Sequence, residues 1–418
     1  MNTSKLRATA RLAGLALLIG LPLTLPAQDI KPAQAGFSAA RLQRVDEFID
    51  RHIASGEVSG GVALVARNGR IVHLTARGVM DVQSKQPMQK DSVFRIASMS
   101  KPVAGVAILM LVEEGKVHLD DPVSKYLPSY RDVKVAMPRA GRAGAAGQAD
   151  AVYPVPAQRE ITVFDILTHT SGLMSGAASN AGGQAAFQQR HEIGLKWVDN
   201  LGKDSLLEFQ PGTRWAYSPV AALDVAGRIV EIVSGKNFDQ FLKERVFGPL
   251  GMKDTFFWPN DAQRARLVTN YRLADGKLSP NPNPDSMSSP VYFSGGGGLM
   301  SSAASYARFA MMLANGGELD GARILSPAMV RLMGSQVIGD DLPGRRPGEG
   351  YGLSVRHVND PAARRTLLSE GSFGWSGAYG THFWVDPSKH LVGILMMQTP
   401  GQNRADEFET VVMQALEE

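Results

Sequence analysis

Two hydroxyl-bearing side chains and one amine stand where this sequence could support nucleophilic chemistry without a metal or a thiol. Ser98 and Lys101 sit in Phe94-Arg95-Ile96-Ala97-Ser98-Met99-Ser100-Lys101-Pro102. Beyond them Val103, Val106, Ala107, Met110 and Leu111 recur at helical spacing, and Gly115 supplies a stop. Pro102 falls in the first turn, where a missing N–H costs little. Ser98 is thereby placed at a helix N-terminus, with Lys101 three residues on and on the same face. Free N–H groups and the positive end of the helix dipole stabilise an alkoxide there and, later, an oxyanion. A lysine in a dry cleft can give up its proton and act as base. Ser-x-x-Lys is expected roughly once by chance in a chain this long, so the tetrapeptide alone reads equally as an N-cap serine beside a solvated lysine.

The third side chain is Tyr217, in Pro211-Gly212-Thr213-Arg214-Trp215-Ala216-Tyr217-Ser218, a turn just before the helical run Val220 to Val233. Trp215 and Tyr217 either pack as an aromatic staple or bring a phenol beside Ser98. A further segment, Gly371-Ser372-Phe373-Gly374-Trp375-Ser376-Gly377-Ala378-Tyr379-Gly380-Thr381, precedes a strand. Glycines this dense at a strand edge mark close approach of a ligand or another backbone, or an ordinary turn.

The elements that must position these residues follow from periodicity. Leu42, Val45, Phe48, Ile49 and Ile53 give a helix over Ala39 to Ser55. Gly61 to Ala66 and Ile71 to Thr75 read as strands joined across Asn68-Gly69, a strong hairpin signal. Thr381 to Val385 and Leu391 to Met396 form a second pair around Asp386-Pro387, and Glu407 to Leu416 closes the chain as a helix. Between Val103 and about Asn315 the pattern is mainly helical, with loops expected at Arg139 to Asp150 and Ser279 to Pro290. The fold class expected is α+β, a single antiparallel sheet flanked by the terminal helices with a helical part inserted. Its sheet part spans about 37–102 and 316–418, and its helical part about 103–315.

At 418 residues, 44% hydrophobic and 20% charged, the chain can bury a large core. Residues 1–27 read as a signal peptide: Lys5, Arg7 and Arg11, an apolar run from Leu12 to Leu25, then Pro26-Ala27. That predicts a periplasmic or secreted protein, with 28–418 as the mature domain and no stable membrane insertion after cleavage. The three basic residues carry most of the net charge of +4, so the remainder is close to neutral and no dense basic run points to nucleic acid. The absence of cysteine excludes disulfides, thiolate metal sites and a lipid-anchored N-terminal cysteine. The histidines lack metal spacing, with no His-Glu-x-x-His and with His382 and His390 on opposite sides of a turn. No metal or cofactor is called for, and no feature specifies an oligomer. A nucleophile elbow of the Gly-x-Ser-x-Gly type is missing. Gly295 to Gly298 lack a P-loop lysine and are expected to form a tight turn into a helix, lining the cleft.

Taken together, the three segments resemble the serine β-lactamase and penicillin-binding-protein superfamily, in its class C-like branch, and most closely the family VIII carboxylesterases. Ile166-Leu167-Thr168-His169-Thr170-Ser171-Gly172-Leu173, Leu250-Gly251-Met252-Lys253-Asp254-Thr255, Gly295-Gly296-Gly297-Gly298-Leu299-Met300-Ser301-Ser302 and Gly350-Tyr351-Gly352-Leu353 support it. The resemblance runs from about residue 40 to 415 and keeps the motif order. It implies a β-lactamase-like fold, Ser98 as nucleophile, Lys101 and Tyr217 as its base, and acyl transfer through an acyl-Ser98 ester. It also implies an oxyanion hole from the N–H groups of Ser98 and Ala378, and substrate contacts from Trp375, Ser376 and Gly377. His169 is expected to be a hydrogen-bonded structural residue.

Two departures bear on the substrate. Trp375 stands where the lactamases carry a lysine, so an apolar wall replaces a carboxylate-binding cation and favours a small neutral ester. Pro219 stands at the Asn of Tyr-x-Asn; with no side-chain amide and no N–H it offers Lys101 no partner of that kind. What orients Lys101 is left without a candidate. The expectation is a hydrolase of short-chain carboxylic esters, ahead of a weak β-lactamase or D-amino-acid peptidase and of a non-catalytic ligand-binding protein.

Overall fold

The computed structural model describes residues 30–139, 152–339, 342–401 and 403–417. The expected signal peptide and nearly all of the 139–150 stretch lie outside the described residues.

Helix α1 (Ala39–Ala54) starts where the Ser38 side chain accepts the Arg41 N–H at 3.3 Å, a serine N-cap. Strands β1 (Gly60–Arg67) and β2 (Arg70–Gly78) follow, and the two residues between them, Asn68 and Gly69, have φ of 52° and 73°. Two consecutive positive φ values define the type I′ hairpin, whose twist matches that of the flanking strands.

The middle of the chain supplies β3 (Val93–Arg95), α2 (Ser100–Glu113), α3 (Val163–Thr168), α4 (Ala221–Ser234), β4 (Thr255–Phe256), β5 (Met300–Ser302) and α5 (Ala303–Ala314). The sequence marked α2 by apolar residues at helical spacing. Every residue from Ser100 to Leu111 is buried, because this helix runs through the core and packs on α4. β3 pairs with β5, Phe94 opposite Ser301, and β5 pairs with β4. The strand leading into Ser98 is thereby fixed before the turn begins.

The C-terminal part gives β6 (Glu349–Tyr351), β7 (Arg356–Val358), β8 (Phe373–Ser376), β9 (His382–Asp386), β10 (Leu391–Met396) and α6 (Arg404–Met413). One antiparallel sheet runs in the order β6-β7-β8-β9-β10-β1-β2, so the last strand lies against the first, Val62 opposite Met396. Its two faces are read off alternate residues. Val62, Leu64, Val392, Ile394 and Met396 belong to the larger core, shared with α2 and α4. Ala63, Val65, Leu391 and Leu395 belong to the second core, under α1 and α6 with Phe48, Trp384 and Phe408. Helix α5 falls within the span assigned to the helical part by sequence, yet it packs on β10, β1 and β9 and covers the sheet.

Candidate active site

Ser98 sits in a single 3₁₀ turn, Ala97–Met99, that feeds directly into α2. The residue before it, Ala97, has φ of 44°, a left-handed conformation that costs an alanine energy and re-aims the chain at this point. Ser100 holds the turn: its Oγ donates to the Ala97 carbonyl at 2.7 Å and accepts the Leu299 N–H at 3.0 Å. Tyr306 Oη donates to the Met99 carbonyl at 2.9 Å.

Lys101 is fully buried, with Nζ 3.2 Å from Ser98 Oγ. It also bonds two carbonyl oxygens, those of Pro219 and Gly296, each at 2.6 Å. Pro219 therefore does orient Lys101, contrary to the expectation from its side chain, because the acceptor is its backbone oxygen. The second acceptor explains the glycine run. Gly295 to Gly298 form a turn that leads into β5 and not into a helix, and a Cβ on Gly296 would lie 2.7 Å from Val220 Cα at the start of α4. Asp224, on α4 and fully buried, pins this turn: it accepts from Gly296 N–H at 3.0 Å, Ser294 Oγ at 2.7 Å, Tyr292 Oη at 2.6 Å and Trp197 Nε1 at 2.9 Å. Burial pushes its carboxyl above the ordinary value, while these four donors pull the other way.

Tyr217 Oη donates to Ser98 Oγ at 2.7 Å, and Lys101 Nζ lies 4.9 Å from the centre of its ring. The segment bearing Tyr217 is held by His169, which caps α3 at φ 58°; its Nδ1 accepts the Ser218 N–H at 3.2 Å and its carbonyl accepts the Ala216 N–H at 3.1 Å. Burial, reinforced by the Lys101 charge, drives the His169 pKa well below its ordinary value, so the ring is neutral. Its face is enclosed by Tyr217, Tyr351 and Trp215, at centroid distances of 4.8, 5.4 and 6.3 Å.

β8 brings the opposite wall. The Trp375 ring lies 5.5 Å from Tyr217 and 5.4 Å from Tyr351. Thr381 Oγ1 donates to the Ile96 carbonyl at 3.1 Å, and Gly377 passes so close to that carbonyl that a Cβ there would overlap it. Ser98, Trp215, Tyr217, Arg346, Glu349, Arg356, Trp375, Ser376, Gly377 and Ala378 line one cleft of about 440 Å³. Every residue assigned to the site from sequence is in this cleft except Lys101, which lies beneath it. The Ala378 N–H has no hydrogen-bond partner among the described residues. A larger groove of about 580 Å³ near Pro327, Val330 and Phe373 contains none of these residues.

Sequence reading missed the charged side of the cleft. Glu349 forms an ion pair with Arg364 at 2.6 Å and lies 3.7 Å from Arg356, which in turn donates a hydrogen bond to Glu409 at 2.7 Å. Arg346 is exposed at the rim and has no ion-pair partner among the described residues. An arginine in a loop of no regular period carries no sequence signal of its own. Asp224 had a faint one, an acid within the otherwise small and apolar start of α4.

A helix-borne serine with a buried lysine and a tyrosine on its oxygen, at the seam between an antiparallel sheet and a helical region, is the layout of an active-serine hydrolase. The Beta-lactamase family model matches residues 45–417, and the chain belongs to this family of serine hydrolases. It is 38% identical over 362 residues to Protein Rv1367c of Mycobacterium tuberculosis, covering 82% of this chain and 86% of that one. To Esterase EstB of Burkholderia gladioli it is 32% identical over 401 residues, covering 90% and 95%. Among solved structures, EstCE1, a hydrolase with promiscuous acyltransferase activity, superposes with a TM-score of 0.75 at 26% identity, covering 91% of this chain and 99% of that one.

Proposed function

We propose that the protein hydrolyses short-chain carboxylic esters through an acyl-Ser98 intermediate. The observation that carries this reading is Ser98 Oγ, with Tyr217 Oη at 2.7 Å and Lys101 Nζ at 3.2 Å, opening on a wall made by Trp375. Ser98 Oγ attacks the ester carbonyl as its single proton passes into the Lys101–Tyr217 pair. The N–H groups of Ser98 and Ala378 receive the oxyanion. Tyr217 then hands a proton to the departing alcohol, and water releases the acid. The aromatic walls of Trp215, Tyr217 and Trp375 suit a neutral acyl or alkoxy group, and the similarity to EstB points the same way.

One observation favours a second reading. Arg346 places at the rim a cation with no ion-pair partner among the described residues, so an anionic β-lactam or peptide could find there the charge that Trp375 does not provide. Turnover of p-nitrophenyl butyrate and nitrocefin, compared side by side in the wild type and in Arg346→Ala, separates the two. The ester reading expects faster ester turnover, relative to the uncatalysed rates, and little effect of Arg346→Ala on it. Faster lactam cleavage, lost in Arg346→Ala, reverses the order. A fluorophosphonate is expected to label the wild type but not Ser98→Ala; an unlabelled wild type refutes both.

A further inference from the structure

A second hydroxyl–imidazole–carboxylate chain opens on the same cleft. Ser376 ends β8 and is exposed, and the β8–β9 register sets it directly opposite His382. Its Oγ lies 2.8 Å from His382 Nδ1, and His382 Nε2 lies 3.0 Å from Glu409 Oε1. His382 and Glu409 are both buried, each about 1% exposed. Glu409 comes from α6, on the far side of the sheet, and takes a second hydrogen bond from Arg356 Nη2 on β7 at 2.7 Å. Trp384 stacks on the imidazole, with centroids 5.9 Å apart at 26°. The other charged groups around this chain are Glu349 on β6, 3.7 Å from Arg356, and the Arg364–Asp406 pair at 2.7 Å.

The hydrogen positions follow from the network. His382 and Arg356 hold Glu409 ionised against its burial, at a pKa of about 2, so it accepts only. In the neutral form of the imidazole, the tautomer this carboxylate selects carries its hydrogen on Nε2, facing Glu409. Nδ1 is left as an acceptor, and the Ser376 O–H must point at it. That bond leaves the lone pairs of Ser376 Oγ free to accept a proton, and Ser376 lines the cleft that holds Ser98. A surface serine needs no buried histidine and glutamate behind it, and burying that pair carries a desolvation cost.

We propose that Ser376, His382 and Glu409 form a proton relay for the hydrolysis of the acyl-Ser98 ester. The proposal rests on Ser98 being the nucleophile. Water held by Ser376 Oγ attacks the acyl carbon. As the new C–O bond forms, the water proton moves to Ser376, whose own proton moves to His382 Nδ1, and Glu409 opposes the imidazolium charge. The bond from the acyl carbon to Ser98 Oγ then breaks, and Ser98 takes a proton from Tyr217. The proton held on His382 returns through Ser376 and cleft water to replace it. Ester and water thus become acid and free Ser98. Ser376 contacts the reacting water, whereas His382 and Glu409 act through it as positioning residues.

The test uses p-nitrophenyl acetate with the intact protein, following the nitrophenol burst by stopped flow and the acyl adduct by intact mass. In Ser376→Ala and His382→Gln the steady-state rate is expected to fall roughly a hundredfold, well beyond any fall in the burst rate, so that acyl-Ser98 accumulates. Ser376→Thr, which keeps the hydroxyl, is expected to restore turnover. A purely structural role for the chain would lower both phases together or neither. Should His382→Gln fail to fold, Ser376→Ala, at the exposed end, decides alone. Deacylation in Ser376→Ala within threefold of wild type, without adduct, overturns the relay. A wild type with neither burst nor adduct overturns the nucleophile reading and the relay with it.

Discussion

Lys101 Nζ has three neighbours, two carbonyl oxygens and the Ser98 hydroxyl. A neutral amine gives its two hydrogens to Pro219 and Gly296 and turns its lone pair to Ser98. The ammonium form gives its third hydrogen to Ser98 instead, and nothing has to move between the two states. That is the geometry of a group that exchanges a proton with Ser98. Tyr217→Phe removes the partner oxygen and keeps the ring against Trp375 and His169. Its kcat/KM is expected to fall roughly 10²- to 10⁴-fold with the melting temperature nearly unchanged; a loss below tenfold would make Lys101 sufficient alone. Asp224→Asn replaces one of the acceptor oxygens that four donors share by an NH₂ group, leaving at least one buried donor unpaired, a cost of about 1–3 kcal/mol. The Gly296 carbonyl loosens with it, so urea melts and kcat are expected to fall together. Ser98, Lys101 and Tyr217 were legible as a set only through the three segments taken together, since each side chain alone reads equally as a cap, a solvated amine or a packing ring. The Pro219 and Gly296 carbonyls were not, since a backbone acceptor is written in no residue type.

At the scale of elements, the site depends on two close approaches that glycine permits. Gly296 lets the 295–298 turn lie on the start of α4, and Gly377 lets the end of β8 lie on the Ile96 carbonyl beside Ser98. A methyl at Gly377 meets that carbonyl and the Thr381 hydroxyl, and backbone cannot swing aside as a long side chain does. Gly377→Ala is expected to push β8 outward and separate Ala378 and Trp375 from Ser98. Activity then drops at least tenfold, by the same logic that makes small misplacements of catalytic groups costly, while the far-UV circular dichroism keeps its wild-type shape. Equal kcat in the two proteins would show that the β8 wall takes no part. The hairpin over Asn68-Gly69 and both terminal helices were readable from local pattern, since turn chemistry and amphipathic spacing are local. The all-round burial of α2 was not, because it depends on α4 and the sheet closing over it, and no window of residues records that. The same limit applied to Gly295–Gly298, whose density showed a close approach but not which element it served.

Across the whole molecule the sheet unites the first and last segments of the chain, and Glu409 ties α6 through it to the cleft. Its carboxyl is desolvated, yet the hydrogen bonds and charges of His382 and Arg356 depress its pKa from 4.5 to about 2. A folded value below the unfolded one means that the unfolded chain binds the proton more readily. The associated stability is thus fully present above about pH 4.5 and is lost as the pH falls toward 2. A depression of this size corresponds to about 3 kcal/mol, as an order of magnitude for a buried group. Glu409→Gln, which carries no charge at any pH, forgoes that contribution. Urea melts of wild type and Glu409→Gln are expected to differ by roughly this amount near neutrality, and the gap is expected to narrow steadily as the pH is lowered through the window from 4.5 to 2. A gap that stays constant with pH would locate the effect in packing and leave the charge of Glu409 without a role in holding α6 to the sheet.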